Sequence, residues 1–282
     1  MDRRSFIAGA LALGLAGSAP AGLAAAADAS RFAPTRFSVQ VRGNGPDVIL
    51  IPGLTSGSEV WNGTVAALPG YRYHLVHVAG FAGAPARANA RGAVVQPLAD
   101  ELARYIRDRG LERPAIVGHS MGGTLAMMIG ARHPDLAGRI MVVDMLPQPA
   151  GLFGSSSSGS LASSLRNWMS TPSGRRLVGG LLNAFSPPES TNARSDPEVV
   201  AQAMHELSSM DLGPQLGRIR APLTVVYGSP DPQARAAIDR NFAAGFAPAR
   251  GARLVRIDDS GHMVMLDQPA RFQASVRDFL RR

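Results

Sequence analysis

Short apolar runs and helical stripes alternate along most of the chain. Residues 46–51 end in a continuous run (Val48, Ile49, Leu50, Ile51) that stops at Pro52-Gly53, which predicts a buried strand entering a loop. Residues 71–78, 115–118, 140–143, 223–227 and 253–257 carry similar strand patterns. Residues 36–41 alternate polar and apolar positions, as an edge or half-exposed strand should. Between these runs the period lengthens. Residues 61–68 suit a short helix, and Leu98, Leu102 and Ile106 recur at helical spacing before Gly110. Further helices are expected after Gly118 as far as His133-Pro134, from about Gln233, and at the end, where Phe272, Val276, Phe279 and Leu280 form one stripe. Strand and helix in alternation predict an α/β fold, with a mostly parallel central sheet covered by helices on both faces.

Two stretches break the rhythm. Residues 147–216 show no strand pattern, a serine run at 155–158 and three helical patches, which predicts a helical cap inserted into the fold. At the other break, Arg3-Arg4-Ser5-Phe6-Ile7 precedes an apolar stretch to about Gly17, with small residues at 24–27 suited to cleavage. The order Arg-Arg-x-Phe-Ile resembles a bacterial twin-arginine export signal, although no basic residue follows Ile7; the alternative is an ordinary secretory signal that carries two arginines. Gly17, Pro20 and Gly22 interrupt the apolar core, so no membrane span is expected after cleavage. The expected organisation is a signal peptide over 1–27, the core over 28–146 and 217–282, and the cap over 147–216. A periplasmic or secreted mature protein follows.

Composition narrows the chemistry. The 282 residues contain no cysteine, which excludes disulfides, thiolate metal sites, a cysteine nucleophile and a lipid-anchoring lipobox. The net charge of +8 comes from arginine alone, scattered with no run longer than a pair, so no nucleic-acid partner is expected. His74 and His77 stand at odd separation on a strand and therefore face opposite ways, which argues against a metal pair. No cofactor is expected.

The chemistry centres on Gly118-His119-Ser120-Met121-Gly122, where a strand pattern ends and a helix pattern begins. Small residues two before and two after Ser120 let strand and helix approach and let the serine adopt a strained backbone. A serine hydroxyl needs a histidine to take its proton and an acid to orient that histidine. Gly228-Ser229-Pro230-Asp231 follows one strand and Gly261-His262 follows the last, so both candidates reach the edge of a parallel sheet where ligand sites form. Asp144, which ends the strand at 140–143, is the alternative acid. Asp258 and Asp259 lie too close to His262 in the chain. His119 is expected to point away from the serine, His133 to end a helix and His205 to lie on the cap surface. Phe81, Phe153, Trp168, Met169, Phe185, Met204 and Met210 either line an apolar pocket or fill the cap core, and Trp61 reads as core.

Together, Pro52-Gly53-Leu54 through Trp61, the Gly118-to-Gly122 elbow, Gly228-x-x-Asp231, and Gly261-His262 with Asp267-Gln268-Pro269 resemble the α/β-hydrolase superfamily, in its cap-bearing esterase-like branch. The resemblance spans about residues 36–282. It implies Ser120 as nucleophile, His262 as base, Asp231 as orienting acid, and the backbone N–H groups of Leu54 and Met121 as oxyanion donors. Pro52 stands where many relatives have histidine. The implied activity is hydrolysis of carboxylic esters with small to medium apolar acyl groups through an acyl-enzyme. Lactones are the near alternative, and carbon–carbon bond hydrolysis of vinylogous diketones a further one. Serine rather than aspartate at position 120 argues against epoxide hydrolysis and haloalkane dehalogenation. A catalytically silent binding protein on the same fold is the non-enzyme alternative.

Overall fold

Strand residues of alternating direction feed two separate apolar layers, and those layers determine the architecture. In the computed structural model, which describes residues 32–149 and 194–282, β2 (Asp47–Ile51), β4 (Ala115–His119), β5 (Arg139–Val143) and β6 (Leu223–Ser229) form the middle of the sheet. Ile49, Ile51, Ile116, Ile140, Val142 and Val225 face one layer; Val48, Leu50, Val117, Met141, Val143 and Val226 face the other. This is the two-residue period of a pleated strand with both faces covered. Burying each such side chain stabilises the fold by roughly 1.5–3 kcal/mol relative to exposure.

Among the described residues the sheet has seven strands in the order β1-β3-β2-β4-β5-β6-β7. β1 (Phe37–Arg42) pairs antiparallel with β3 (Arg72–Val78), and every other pairing, including β7 (Arg253–Asp258) on β6, is parallel. The alternating run at 36–41 is thus an edge strand, as expected. One face carries α2 (Val95–Asp108), α3 (Met121–Arg132), α4 (Pro197–Ser208) and α5 (Arg235–Phe246). The other carries α1 (Asn62–Ala67), α6 (Val264–Asp267) and α7 (Pro269–Arg281). Phe272, Val276, Phe279 and Leu280 of α7 are buried, and Trp61 packs on Phe272 with ring centroids 6.2 Å apart. α3 is buried on all sides from Met121 to Ala131, so its sequence carries little polar contrast.

The chain that resumes at residue 194 is bonded to the loops at the C-terminal edge of the sheet. The Ser195 hydroxyl accepts from the Ala82 N–H (2.9 Å) and donates to the Thr55 carbonyl (3.2 Å). Asp196 caps α4 by accepting from the N–H groups of Glu198 and Val199. Further along α4, the Glu206 carboxylate accepts from the N–H groups of Val94 and Val95 at 2.7 and 2.9 Å. It places a negative charge on the positive end of α2, which has no side-chain cap of its own. At the opposite edge of the sheet, His74 is buried between Asp47 and Tyr105, both at 2.8 Å, while His77 faces the other way toward the Phe81 carbonyl. Arg72 beside it holds the Asp47 carboxyl below the usual carboxylate range. The expected signal peptide, the serine run and most of the cap, with Phe153, Trp168, Met169 and Phe185, lie outside the described residues.

Candidate active site

The turn from β4 into α3 is a constrained piece of backbone at the C-terminal edge. Ser120 has φ 51° and ψ −121°, a conformation that non-glycine residues rarely adopt and that costs about 1–3 kcal/mol. Its N–H donates to the Val143 carbonyl at 2.9 Å, and its carbonyl accepts from Gly123 and Thr124 at 2.8 and 3.2 Å. The flanking glycines are required by close approach: a Cβ on Gly118 would collide with the Gly122 carbonyl, and one on Gly122 with the Ile51 carbonyl. The elbow expected from the sequence is therefore present as a backbone feature.

His262 follows β7 after a short loop, and its Nδ1 lies 2.7 Å from Asp144 Oδ2. Asp144, not Asp231, is its partner in the structure. The Asp144 carboxylate is fixed at both oxygens, because Oδ1 accepts the Gly228 N–H at 2.9 Å. Its own N–H donates to the Val226 carbonyl at 2.7 Å. Asp231 is exposed and accepts from the Gln233 N–H at 2.8 Å, a local turn ahead of α5. Close packing at Gly228 explains the difference. A Cβ there would strike the carbonyls of Ser260 and Gly261, so the His262 loop lies directly over Gly228 and presents the imidazole toward the end of β5. The glycine of the Gly228-x-x-Asp231 motif thus serves the site through its N–H and its missing side chain, while the aspartate does not reach it.

Ser120, His262 and Asp144 line one cavity of about 480 Å3, together with Leu54, Thr55, Ser56, Met145, Leu207 and Met263. Leu54, the expected oxyanion-loop residue, is on its wall. Met121 opens α3, whose first-turn N–H groups have no acceptors within the helix; those of Gly123 and Thr124 bind the Ser120 carbonyl. Phe81 is fully buried in the core and Met204 nearly so, and Met210 packs against the same layer, so none of the three forms the cavity wall. Met145, Leu207 and Met263 supply the apolar surface instead. Leu207 is carried in by α4, one residue after the Glu206 that ties this helix to α2. A larger cavity of about 700 Å3 opens between Pro147, Pro214 and α5. Its one ionisable described residue, Asp211, is engaged by Gln148 and the Gly213 N–H, so the chemistry belongs to the smaller cavity.

His119 departs from expectation. Its side chain lies on the same cavity rather than away from it, with Nε2 2.9 Å from the His262 carbonyl and the two rings 4.7 Å apart. It is almost wholly buried. Burial, and then the charge of His262, push its pKa down to about 3, so it is neutral at any ordinary pH. His205 is half-buried in the last turn of α4, and His133 ends α3 as expected. Among the described residues no cluster of His, Asp or Glu could hold a metal ion. No described helix is long and apolar enough to cross a membrane.

A parallel sheet that delivers a strained serine, a histidine and a carboxylate to one edge defines a hydrolase of the α/β type. Residues 48–274 match the model of the alpha/beta hydrolase family, and the chain belongs to that family. It is 26% identical over 264 residues to the pimeloyl-[acyl-carrier protein] methyl ester esterase of Aromatoleum aromaticum, covering 84% of this chain and 99% of that one. Among solved structures, the enol-lactonase from Burkholderia xenovorans superposes with a TM-score of 0.63 at 22% identity, covering 87% of this chain and 96% of that one. An esterase from Exiguobacterium antarcticum gives 0.64 at 20% identity, with 87% and 96% covered. At these identities the two structures share the fold.

Proposed function

We propose that the protein is a serine hydrolase of carboxylic esters with small to medium apolar acyl groups. The observation that carries this reading is the Asp144–His262 pair at 2.7 Å in the cavity that also holds Ser120 at a strained strand-to-helix turn. Ser120 Oγ attacks the acyl carbon as its proton passes to His262 Nε2. The tetrahedral oxyanion is met by the N–H groups of Leu54 and Met121, each donor of this kind being worth about 3 kcal/mol. Collapse breaks the bond to the leaving alcohol, which takes the proton from His262. Water, deprotonated by His262, then cleaves the acyl-enzyme and returns the proton to Ser120. Asp144 holds Nδ1–H and stabilises the imidazolium.

The apolar wall of Met145, Leu207 and Met263 supports an apolar acyl or alkyl group. The similarity to a methyl ester esterase supports ester over amide substrates. Lactones open by the same steps, with the leaving alcohol tethered. Residues 1–27 are proposed to direct export and to be removed, which a periplasmic fraction containing a chain that begins near Asp28 would test. The activity is tested by p-nitrophenyl ester hydrolysis with the wild type and Ser120→Ala: turnover is expected in the first and not in the second. Equal rates would overturn the assignment.

A further inference from the structure

His119 adjoins Ser120 in the chain, and its imidazole lies beside both the oxyanion loop and the His262 loop. It stands close to Gly53, the residue before Leu54: a Cβ on that glycine would sit 2.8 Å from His119 Nδ1 and 3.0 Å from the Ser120 Cβ. Its Nε2 is 2.9 Å from the backbone carbonyl of His262. A carbonyl only accepts, so Nε2 carries the proton and Nδ1 is the unprotonated nitrogen. Nδ1 is buried with no hydrogen-bond partner, which leaves the Nε2–H···O bond as the ring's single polar anchor.

We propose, on the basis of the serine-hydrolase reading, that His119 is a positioning residue whose Nε2–H fixes the His262 loop in register with the nucleophile and the oxyanion loop. The His262 side chain is half exposed, and its loop crosses the sheet edge at Gly228, where the carbonyls of Ser260 and Gly261 lie over the glycine. The bond from His119 restrains the backbone of the base itself, while Asp144 orients the ring. Neutrality is part of this role. A cation 4.7 Å from His262 would oppose formation of the imidazolium, and burial keeps His119 uncharged.

A residue that merely fills space could be replaced by another ring, whereas a donor could not. His119→Phe keeps an aromatic ring and deletes the donor, leaving the His262 carbonyl without this partner; His119→Gln keeps an N–H at nearly the same reach. Phe is expected to lower kcat and the rate of fluorophosphonate labelling on the order of 10- to 100-fold with KM nearly unchanged, and Gln to restore most of the loss. Phe labelling at the wild-type rate, or Gln as impaired as Phe, overturns the role of His119. A wild-type protein that takes up no adduct overturns the hydrolase reading itself, and the role with it. Nitrogen-15 imidazole spectra of the wild type need no variant: a neutral His119 protonated at Nε2 at pH 5 is expected, and protonation at Nδ1 overturns the geometry.

Discussion

Asp144→Asn changes one oxygen to an NH2 group at a site where both oxygens are in use, and neither rotamer of the new amide can satisfy it. With its oxygen on the Gly228 N–H, at the 2.9 Å contact now made by Oδ1, the NH2 group faces His262 Nδ1 at 2.7 Å. His262 must then accept at Nδ1 and carry its proton on Nε2, where it has no lone pair for the Ser120 proton. In the flipped rotamer the amide accepts from His262, but two donors meet at Gly228 N–H, at a cost of about 1–3 kcal/mol for a buried unpaired donor. The imidazolium also loses its negative partner, worth a further ~1.5–3 kcal/mol for a charged hydrogen bond. The sum corresponds to a loss in kcat of roughly a hundred- to ten-thousandfold, and the same exchange in a serine protease triad lies at the upper end of that range. Asp231→Asn, by contrast, retains an oxygen for the Gln233 N–H and should change kcat/KM by less than about twofold. The assay is p-nitrophenyl butyrate hydrolysis at pH 8, with circular dichroism to confirm that both variants fold. An Asp144→Asn enzyme within tenfold of wild type, or a severe loss in Asp231→Asn, would refute the assignment of the acid.

Ser120→Gly should be more stable to urea than Ser120→Ala, although glycine ordinarily destabilises by about 0.5–1 kcal/mol, because at φ 51° alanine retains strain that glycine releases; alanine proving the more stable would contradict a strained elbow. Acid should weaken the fold through His119. Its pKa falls from the usual 6.5 to about 3 on folding, so the unfolded chain binds the proton first. The stability from this group is complete above pH 6.5 and is lost as the pH falls toward 3, by about 2 kcal/mol at pH 5. Urea titrations at pH 7 and pH 5 should show His119→Gln losing correspondingly less between the two, and an unchanged difference would show that the buried histidine is not responsible.

Much of the sheet was legible because its central strands are buried on both faces and so appear as unbroken apolar runs at 48–51, 116–117, 140–143 and 225–227. The elbow was legible because two backbone contacts exclude any Cβ at Gly118 and Gly122, and the two glycines stand at fixed spacing around Ser120. The acid was not. Asp144 and Asp231 end or follow neighbouring strands, and the choice rests on a hydrogen bond from the Gly228 backbone and on carbonyls packed over its missing Cβ. Those contacts join residues more than thirty positions apart and leave no local pattern. His119 was misjudged for a related reason: its orientation depends on space at Gly53 and an acceptor at His262, both remote in the chain. Phe81 was open to a pocket or a core role because an aromatic residue suits either, and the structure buries its ring in the core.

The central claim is that Ser120 is a nucleophile activated by His262 and Asp144. Incubation of the folded protein with a fluorophosphonate, followed by intact mass and peptide mapping, tests it most directly. The expected result is one adduct per chain, on Ser120, absent in Ser120→Ala and greatly slowed in Asp144→Asn. A folded wild-type protein that gains no adduct, or gains one on another residue, would contradict it.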